Sequence, residues 1–267
     1  MLYMLLFDLI RPVRPLLPLV VSIPHAGTYI PADIRAALKP ALLPPDDTDW
    51  FVQQLYDFAT ELGIPVLQAN YSRWVVDLNR NPDSRPLYAD GRVLTGLCPS
   101  TTFLGEPLYQ DERPAVAAAE VARRKTRYFD PYHAALQTLL DDTQARFGQV
   151  LLWDCHSIRR RVAAIHDGPF PDLILGSADD TSAAPALIQT ALRELGSGPY
   201  GLSHNAPFKG GYITRHFGRP AAGQHTLQLE MAKDLYLDDA EYAYDPARAA
   251  PMQALLRQTL LALGQML

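Results

Sequence analysis

Leu19-Val20-Val21-Ser22-Ile23-Pro24-His25-Ala26-Gly27 and Val150-Leu151-Leu152-Trp153-Asp154-Cys155-His156-Ser157 decide how this chain is read. Each begins as a short apolar run, the pattern of a strand buried on both faces of a sheet. Each then delivers a histidine among small or turn-forming residues. A histidine just past a buried strand sits at a sheet's carboxyl edge, where open α/β sheets form their ligand crevices. Further apolar runs at 65–69, 74–78, 172–175 and 226–229 read as strands, and 32–38, 50–62, 114–147, 183–195 and 246–263 as helices. Strands alternating with helices predict an α/β fold with helices on both faces of the sheet. The long 114–147 pattern predicts two helices, or one bent at Asp130-Pro131. Residues 79–112, rich in Pro, Gly and Asp, read as a long ordered loop, a type that is usually functional.

The chain has 267 residues, 48% of them hydrophobic, which supports one large α/β domain spanning 1–267. A net charge of −5 argues against nucleic acid as a main partner, because phosphate binding needs a basic surface. It leaves room for a small anionic substrate held by a few arginines. Cys98 and Cys155 match no zinc or disulfide spacing and read as reduced core thiols of a cytoplasmic protein. The apolar start, Met1 to Ile10, has no preceding basic region and is too short to cross a membrane. It is expected to form an edge strand or an ordered arm.

Two strand-end histidines and one carboxylate make a catalytic zinc site with a position left for water. Alone, His25 or His156 reads as a hydrogen-bonded strand-end residue; the pairing favours the metal. On a strand, Asp154 and His156 share a face and Cys155 takes the other, so Asp154 is placed to orient the His156 ring. Asp46-Asp47-Thr48-Asp49-Trp50 is expected to open the 50–62 helix, and these acids are ordinary helix caps, so spacing alone selects none as a ligand. The run from Tyr71 to Arg80 is expected to be a strand ending in Asn79-Arg80, and an arginine fork there suits a carboxylate. Glu230 at the end of Thr226-Leu227-Gln228-Leu229-Glu230 is a candidate general base. The segment from Phe208 to Gly218, with Gly210-Gly211 and Arg215, reads as a loop that wraps substrate; His216 reads as a surface residue, and His133, His166, His204 and His225 have no motif support.

Taken in order, Ser-Ile-Pro-His-Ala-Gly, Asp-Thr-Asp-Trp, the Tyr71–Arg80 run, Asp-Cys-His-Ser, Phe-Lys-Gly-Gly-Tyr-Ile-Thr-Arg and Gln-Leu-Glu-Met resemble the N-formylglutamate amidohydrolase family. The combination is specific although each motif alone is weak. The resemblance implies a fold similar to zinc carboxypeptidases and aspartoacylase: a mixed, mostly parallel sheet flanked by helices. It implies one Zn2+ per chain, amide hydrolysis and a role in histidine catabolism. Residue by residue, it implies His25, Asp49 and His156 as metal ligands, with Asp47 the alternative to Asp49. It implies Glu230 as base, Arg73 as oxyanion partner, and Asn79 with Arg80 on a substrate carboxylate. Arg215, Gly211 and Tyr212 complete the expected substrate pocket. Phe51 departs from the more polar residue expected after Trp50.

The expected activity is zinc-dependent hydrolysis of N-formyl-L-glutamate, a small dicarboxylate amide, with no nucleic-acid or membrane partner. The alternatives are a zinc hydrolase of another N-acyl amino acid and a non-catalytic small-acid binding protein. The candidate base at Glu230 speaks against the last, which needs none.

Overall fold

The computed structural model describes residues 4–83 and 95–267. Its strands are β1 Phe7–Ile10, β2 Leu19–Ile23, β3 Val66–Ala69, β4 Val150–Ile158, β5 Leu173–Gly176, β6 Leu202–His204 and β7 Gln224–Ala232. They form one seven-stranded sheet in the order β1-β3-β2-β4-β7-β5-β6. β2 runs parallel to both β3 and β4, and β4 parallel to β7, whereas β1 and β5 run antiparallel to their neighbours β3 and β7. The sheet is therefore mixed and mostly parallel, as expected. From β2 the chain first moves outward to β3, then returns to lay β4 on the other side. The boundary between β2 and β4 is thus the point where the winding reverses, and both histidines of interest lie there.

Strand residues alternate between two cores. Leu19, Val21, Ile23, Leu151, Trp153, Cys155, Leu227 and Leu229 face α2 (Val52–Leu55), α5 (Pro185–Leu195) and α7 (Pro246–Gly264). Val20, Leu67, Ala69, Val150 and Leu152 face α4 (Asp130–Phe147) and α6 (Tyr212–Phe217). Where β2 and β4 pass beneath this second layer, the alternation turns polar: Ser22 and Asp154 bond to each other, and Ser22 also meets the Tyr132 hydroxyl of α4. That polar stripe runs upward into the site. Among the described residues, no helix is long and apolar enough to cross a membrane.

Several elements differ from the sequence expectation. The run from Tyr71 to Arg80 is buried but is a series of turns, not a strand. Arg124, on α3 (Ala118–Arg124), donates to the carbonyls of Trp74 and Val75, so these groups have no need of a strand partner. The expected 50–62 helix is interrupted because Phe51 adopts φ 59°, leaving α2 and a 3-10 turn at Asp57–Thr60. The 114–147 region takes the first of its two expected forms, two helices, here joined by a π turn, Lys125–Phe129. The extra residue of a π turn just before Pro131 relieves the clash between a helical proline and the carbonyl four residues back. The supposed loop from Phe208 contains α6, preceded by Gly210 at φ 104°, a backbone shape that favours glycine. The start of the chain is an edge strand, β1, as expected, and the short edge strand β6 had no signal. Of the expected 79–112 loop, 84–94 lie outside the described residues; the rest carries only isolated bridges. α1 (Ala32–Arg35) is shorter than its 32–38 pattern.

Candidate active site

His25 follows β2 after Pro24; His156 lies on β4, two residues before the strand ends. Both are buried. Behind each ring stands a carboxylate. Asp77 Oδ1 is 2.8 Å from His25 Nε2, and Asp154 Oδ2 is 3.0 Å from His156 Nε2. An Nε2–H donated to a carboxylate leaves Nδ1 as the free lone pair. The two Nδ1 atoms accordingly face each other at 3.1 Å. Asp49 Oδ2 closes the triangle at 3.1 Å from His156 Nδ1 and 3.7 Å from His25 Nδ1.

This triangle fits a metal. A tetrahedral zinc with bonds of about 2.0–2.1 Å separates its ligand atoms by about 3.3 Å, close to the three edges seen here. Two lone pairs and a carboxylate oxygen crowded together in a buried place call for a cation at their centre. Among the described residues, this is the one group of acids, histidines or cysteines arranged to hold an ion. Asp47 takes no part: its carboxylate accepts from Trp74 Nε1 at 2.9 Å and from the Phe103 amide at 3.2 Å. The acid nearest to the two ligand nitrogens is therefore Asp49.

Charge in the site is balanced locally. Burial alone would raise the Asp49 carboxyl, but the neighbouring His156 and His25 rings outweigh it and hold the group well below the ordinary carboxylate range. Asp77 is likewise held low against its burial, by Arg80, Arg73 and His25. Arg73 is buried, stacks on the Phe103 ring at 4.6 Å, and brings Nη2 within 2.9 Å of His25 Nδ1. It brings a positive charge directly beside the triangle.

Glu230 pairs with His156 in the β4–β7 register, so the two side chains leave the sheet together. It lies within β7 rather than at its end. Burial, the first cause, raises its carboxyl to about 7; Asp49 and Asp154 add to the rise, while His156 and Arg73 oppose it. A carboxyl poised there can accept and return a proton near neutrality.

The remaining expected site residues divide. Asn79 does not point outward. Its Nδ2 lies 3.0 Å from His156 Nε2 and donates to Gln228 Oε1 at 3.1 Å, while its Oδ1 accepts from the Ile213 amide at 2.8 Å. It ties the ring of His156 to the first turn of α6. Gly211 donates its N–H to Gln228 Oε1 at 2.8 Å, and a side chain there would strike Asn79. Tyr212 turns its hydroxyl to His216 Nδ1 at 3.1 Å. Arg80 is part-buried, with Nε donating to the Thr95 carbonyl and Nη1 3.7 Å from Asp77. Arg215 is carried on α6 and is part-buried. Asp77 is a site residue without a strand-edge signal; its signal, an acid four residues after Arg73, is visible only once the segment is known to be turned rather than extended.

A family model described as N-formylglutamate amidohydrolase matches residues 17–237. The chain belongs to that family. It is 43% identical over 250 residues to an N-formylglutamate deformylase of Pseudomonas putida, covering 92% of each chain. It is also 43% identical to an N-formylglutamate deformylase of Pseudomonas aeruginosa over 253 residues, 94% of each. The crystal structure of an N-formylglutamate amidohydrolase from Ralstonia eutropha JMP134 matches with a TM-score of 0.77 at 30% identity, over 97% of this chain and 96% of that one. By this membership the chain is a hydrolase acting on an amide bond.

Proposed function

We propose that this enzyme is a zinc-dependent N-formylglutamate deformylase, with residues 1–267 acting as one catalytic domain. The observation that carries the reading is the His25–Asp49–His156 triangle with Glu230 beside it in register. The names of the relatives supply the substrate. In the reaction the oxygen of water ends on the formyl carbon, giving formate. Both protons of that water end on the amide nitrogen, giving the ammonium group of glutamate.

His25 Nδ1, His156 Nδ1 and Asp49 Oδ2 would hold the ion. Bound there, zinc supplies an acidified water and polarises the formyl oxygen. Glu230 accepts the proton of the attacking water and returns it to the nitrogen as the C–N bond breaks. Arg73 lies beside the developing negative oxygen, where one good donor is worth about 3–4 kcal/mol. Arg80 is assigned to the α-carboxylate and Arg215 to the side-chain carboxylate. Asn79 and Gly211, given their partners, act by holding α6 against β7 instead of by touching substrate. On family grounds we place the reaction at the end of a histidine degradation route in the cytoplasm.

The test is formate release from a panel of N-acyl amino acids by the zinc-loaded enzyme. N-formylglutamate should be turned over fastest, chelation should stop turnover, and added zinc should restore it. Faster turnover of another N-acyl amino acid would transfer the assignment to that substrate. Tight binding without formate release would leave a small-acid binding protein.

A further inference from the structure

Two corners of the triangle belong to the sheet and one does not. His156 lies on β4, and His25 follows β2 after Pro24. Asp49 lies in an irregular turn that ends where Phe51 begins α2 in the left-handed region. Functional side chains have to be held within about 0.5 Å of their working geometry. A turn does not supply that by itself, so the Asp49 segment must be fastened to the strands. One tie is direct: the Asp49 amide donates to the His25 carbonyl at 3.0 Å. It sets the Asp49–His25 edge. Among the described residues, no backbone bond joins the turn to β4, and the Asp49–His156 edge is left to side chains.

Tyr236 spans that edge. It is fully buried and stands just past the end of β7, the strand that carries Glu230. Its hydroxyl lies 2.9 Å from the Trp50 carbonyl and 2.8 Å from Ser157 Oγ. Trp50 is the residue after Asp49, and Ser157 is the residue after His156. A phenol has one proton and a carbonyl can only accept. The Tyr236 O–H therefore donates to Trp50, and its oxygen accepts from the Ser157 hydroxyl. Burial keeps the phenol protonated well beyond the usual tyrosine range, so it remains a donor. Ser157 leaves β4 on the face opposite His156, so the fixed point of the bridge is the strand rather than the ring. A second group from the same stretch holds the other end of the turn: Lys233 Nζ donates to the Asp46 carbonyl at 3.2 Å. The mechanism above gives Tyr236 no task.

We propose that Tyr236 is a positioning residue of the metal site: its hydroxyl, bridging Trp50 to Ser157, holds Asp49 Oδ2 at the distance from His156 Nδ1 that a shared ion needs. This deepens the metal reading above and rests on it. The distance at stake is the 3.1 Å edge of the triangle. Without the hydroxyl the turn keeps its ties at the Asp49 amide and the Asp46 carbonyl. The chain then keeps its course but pivots about those two points, and the carboxylate drifts from His156. Tyr236 acts through Asp49, so its loss is felt first by the ion and only then by turnover.

The test compares wild type, Tyr236→Phe, Ser157→Ala and the double variant. It uses zinc competition, the visible spectra of the cobalt-substituted proteins and thermal melts of the metal-free proteins. Tyr236→Phe removes one oxygen and nothing else. It should weaken zinc about 10–100-fold, the usual loss for an orienting partner, and shift the cobalt bands, which report ligand geometry. Ser157→Ala cuts the other leg and should weaken zinc about 10-fold. The double variant should lose no more than Tyr236→Phe alone, because both changes break the same bridge. A lower melting temperature in Tyr236→Phe with wild-type zinc affinity and an unchanged cobalt spectrum overturns the proposal, since the hydroxyl then serves only the fold. Losses that add in the double variant overturn it as well, because they mark two independent contacts. Should Tyr236→Phe not fold, unchanged zinc affinity in Ser157→Ala overturns the bridge. A wild type that binds neither ion overturns the metal reading and the bridge with it. If the ions bind and the variants behave as expected while N-formylglutamate is not hydrolysed, the bridge stands and the deformylase reading falls.

Discussion

At the scale of single residues, the site is a set of atoms made available by what stands behind them. His25 and His156 present Nδ1 because Asp77 and Asp154 take Nε2. Removing either ring removes a corner of the triangle. His25→Ala and His156→Ala should each lose metal and activity together, measured as metal content after dialysis and as formate release. Asp49→Asn should lose far more metal than Asp47→Asn, because only the first changes a corner atom. Asp77→Asn leaves all three corners and should lower metal affinity by about 10–100-fold, the usual loss for an orienting partner. Glu230→Gln keeps its shape and should retain metal while turnover falls at least ~10²-fold. The two histidines and Asp154 were legible because strand edges and strand alternation are local patterns. The choice of Asp49 over Asp47 was not, since both acids fit a helix cap and only Trp74 and Phe103, distant in sequence, show where Asp47 points.

At the scale of elements, the chain is most legible where a segment's partner is implied by its own pattern. The expected strands at 19–23, 65–69, 150–153, 172–175 and 226–229 all lie in the sheet, and the 183–195 and 246–263 helices match α5 and α7 within two residues. Trp74-Val75-Val76 was read correctly as buried and wrongly as extended, because the groups that satisfy its carbonyls belong to Arg124. The segment leading into α6 looked like a wrapping loop because its glycines suggested freedom. In the structure one of them secures a close approach: a Cβ on Gly211 would lie 2.4 Å from the Asn79 amide. Gly211→Ala should displace Asn79, costing about 1–3 kcal/mol of stability and about 10-fold or more in metal affinity through His156. Thermal melts and zinc competition would measure both. α6 also carries Arg215, so on the proposed assignment the helix sets the distance between the two carboxylate sites. Arg215→Ala should narrow the preference for N-formylglutamate over N-formylglutamine, whereas Arg80→Ala should harm both substrates alike, as read from kcat/KM. An unchanged preference in Arg215→Ala would move the side-chain carboxylate to another cation.

At the scale of the whole molecule, the winding of the sheet brings residues from 25 to 230 to one crevice, and two cores of opposite faces hold it. The α4–α6 core also holds a buried histidine that serves no site. His133 stacks on Phe129 at 3.8 Å and faces Phe217 at 5.9 Å, its Nδ1 bonded to the Phe129 carbonyl. Its Nε2 is buried without a partner. Burial, opposed only weakly by that carbonyl, pushes the ring down from 6.5 to about 4. The sign follows. Between these values the unfolded chain binds a proton that the native state refuses, so acid favours unfolding. The contribution is fully present above pH 6.5 and is lost as pH falls toward 4. By pH 5 it amounts to a loss on the order of 2 kcal/mol relative to pH 7. His133→Phe keeps an aromatic wall between Phe129 and Phe217 and cannot take the proton. Denaturant unfolding at pH 7 and pH 5 should therefore show a smaller acid loss in His133→Phe than in wild type, by about that amount. Equal losses in the two proteins would mean that α4 and α6 part far enough to hydrate the protonated ring without unfolding. The close packing of α6 on β7, on which the proposed carboxylate pocket depends, would then be looser than its contacts imply.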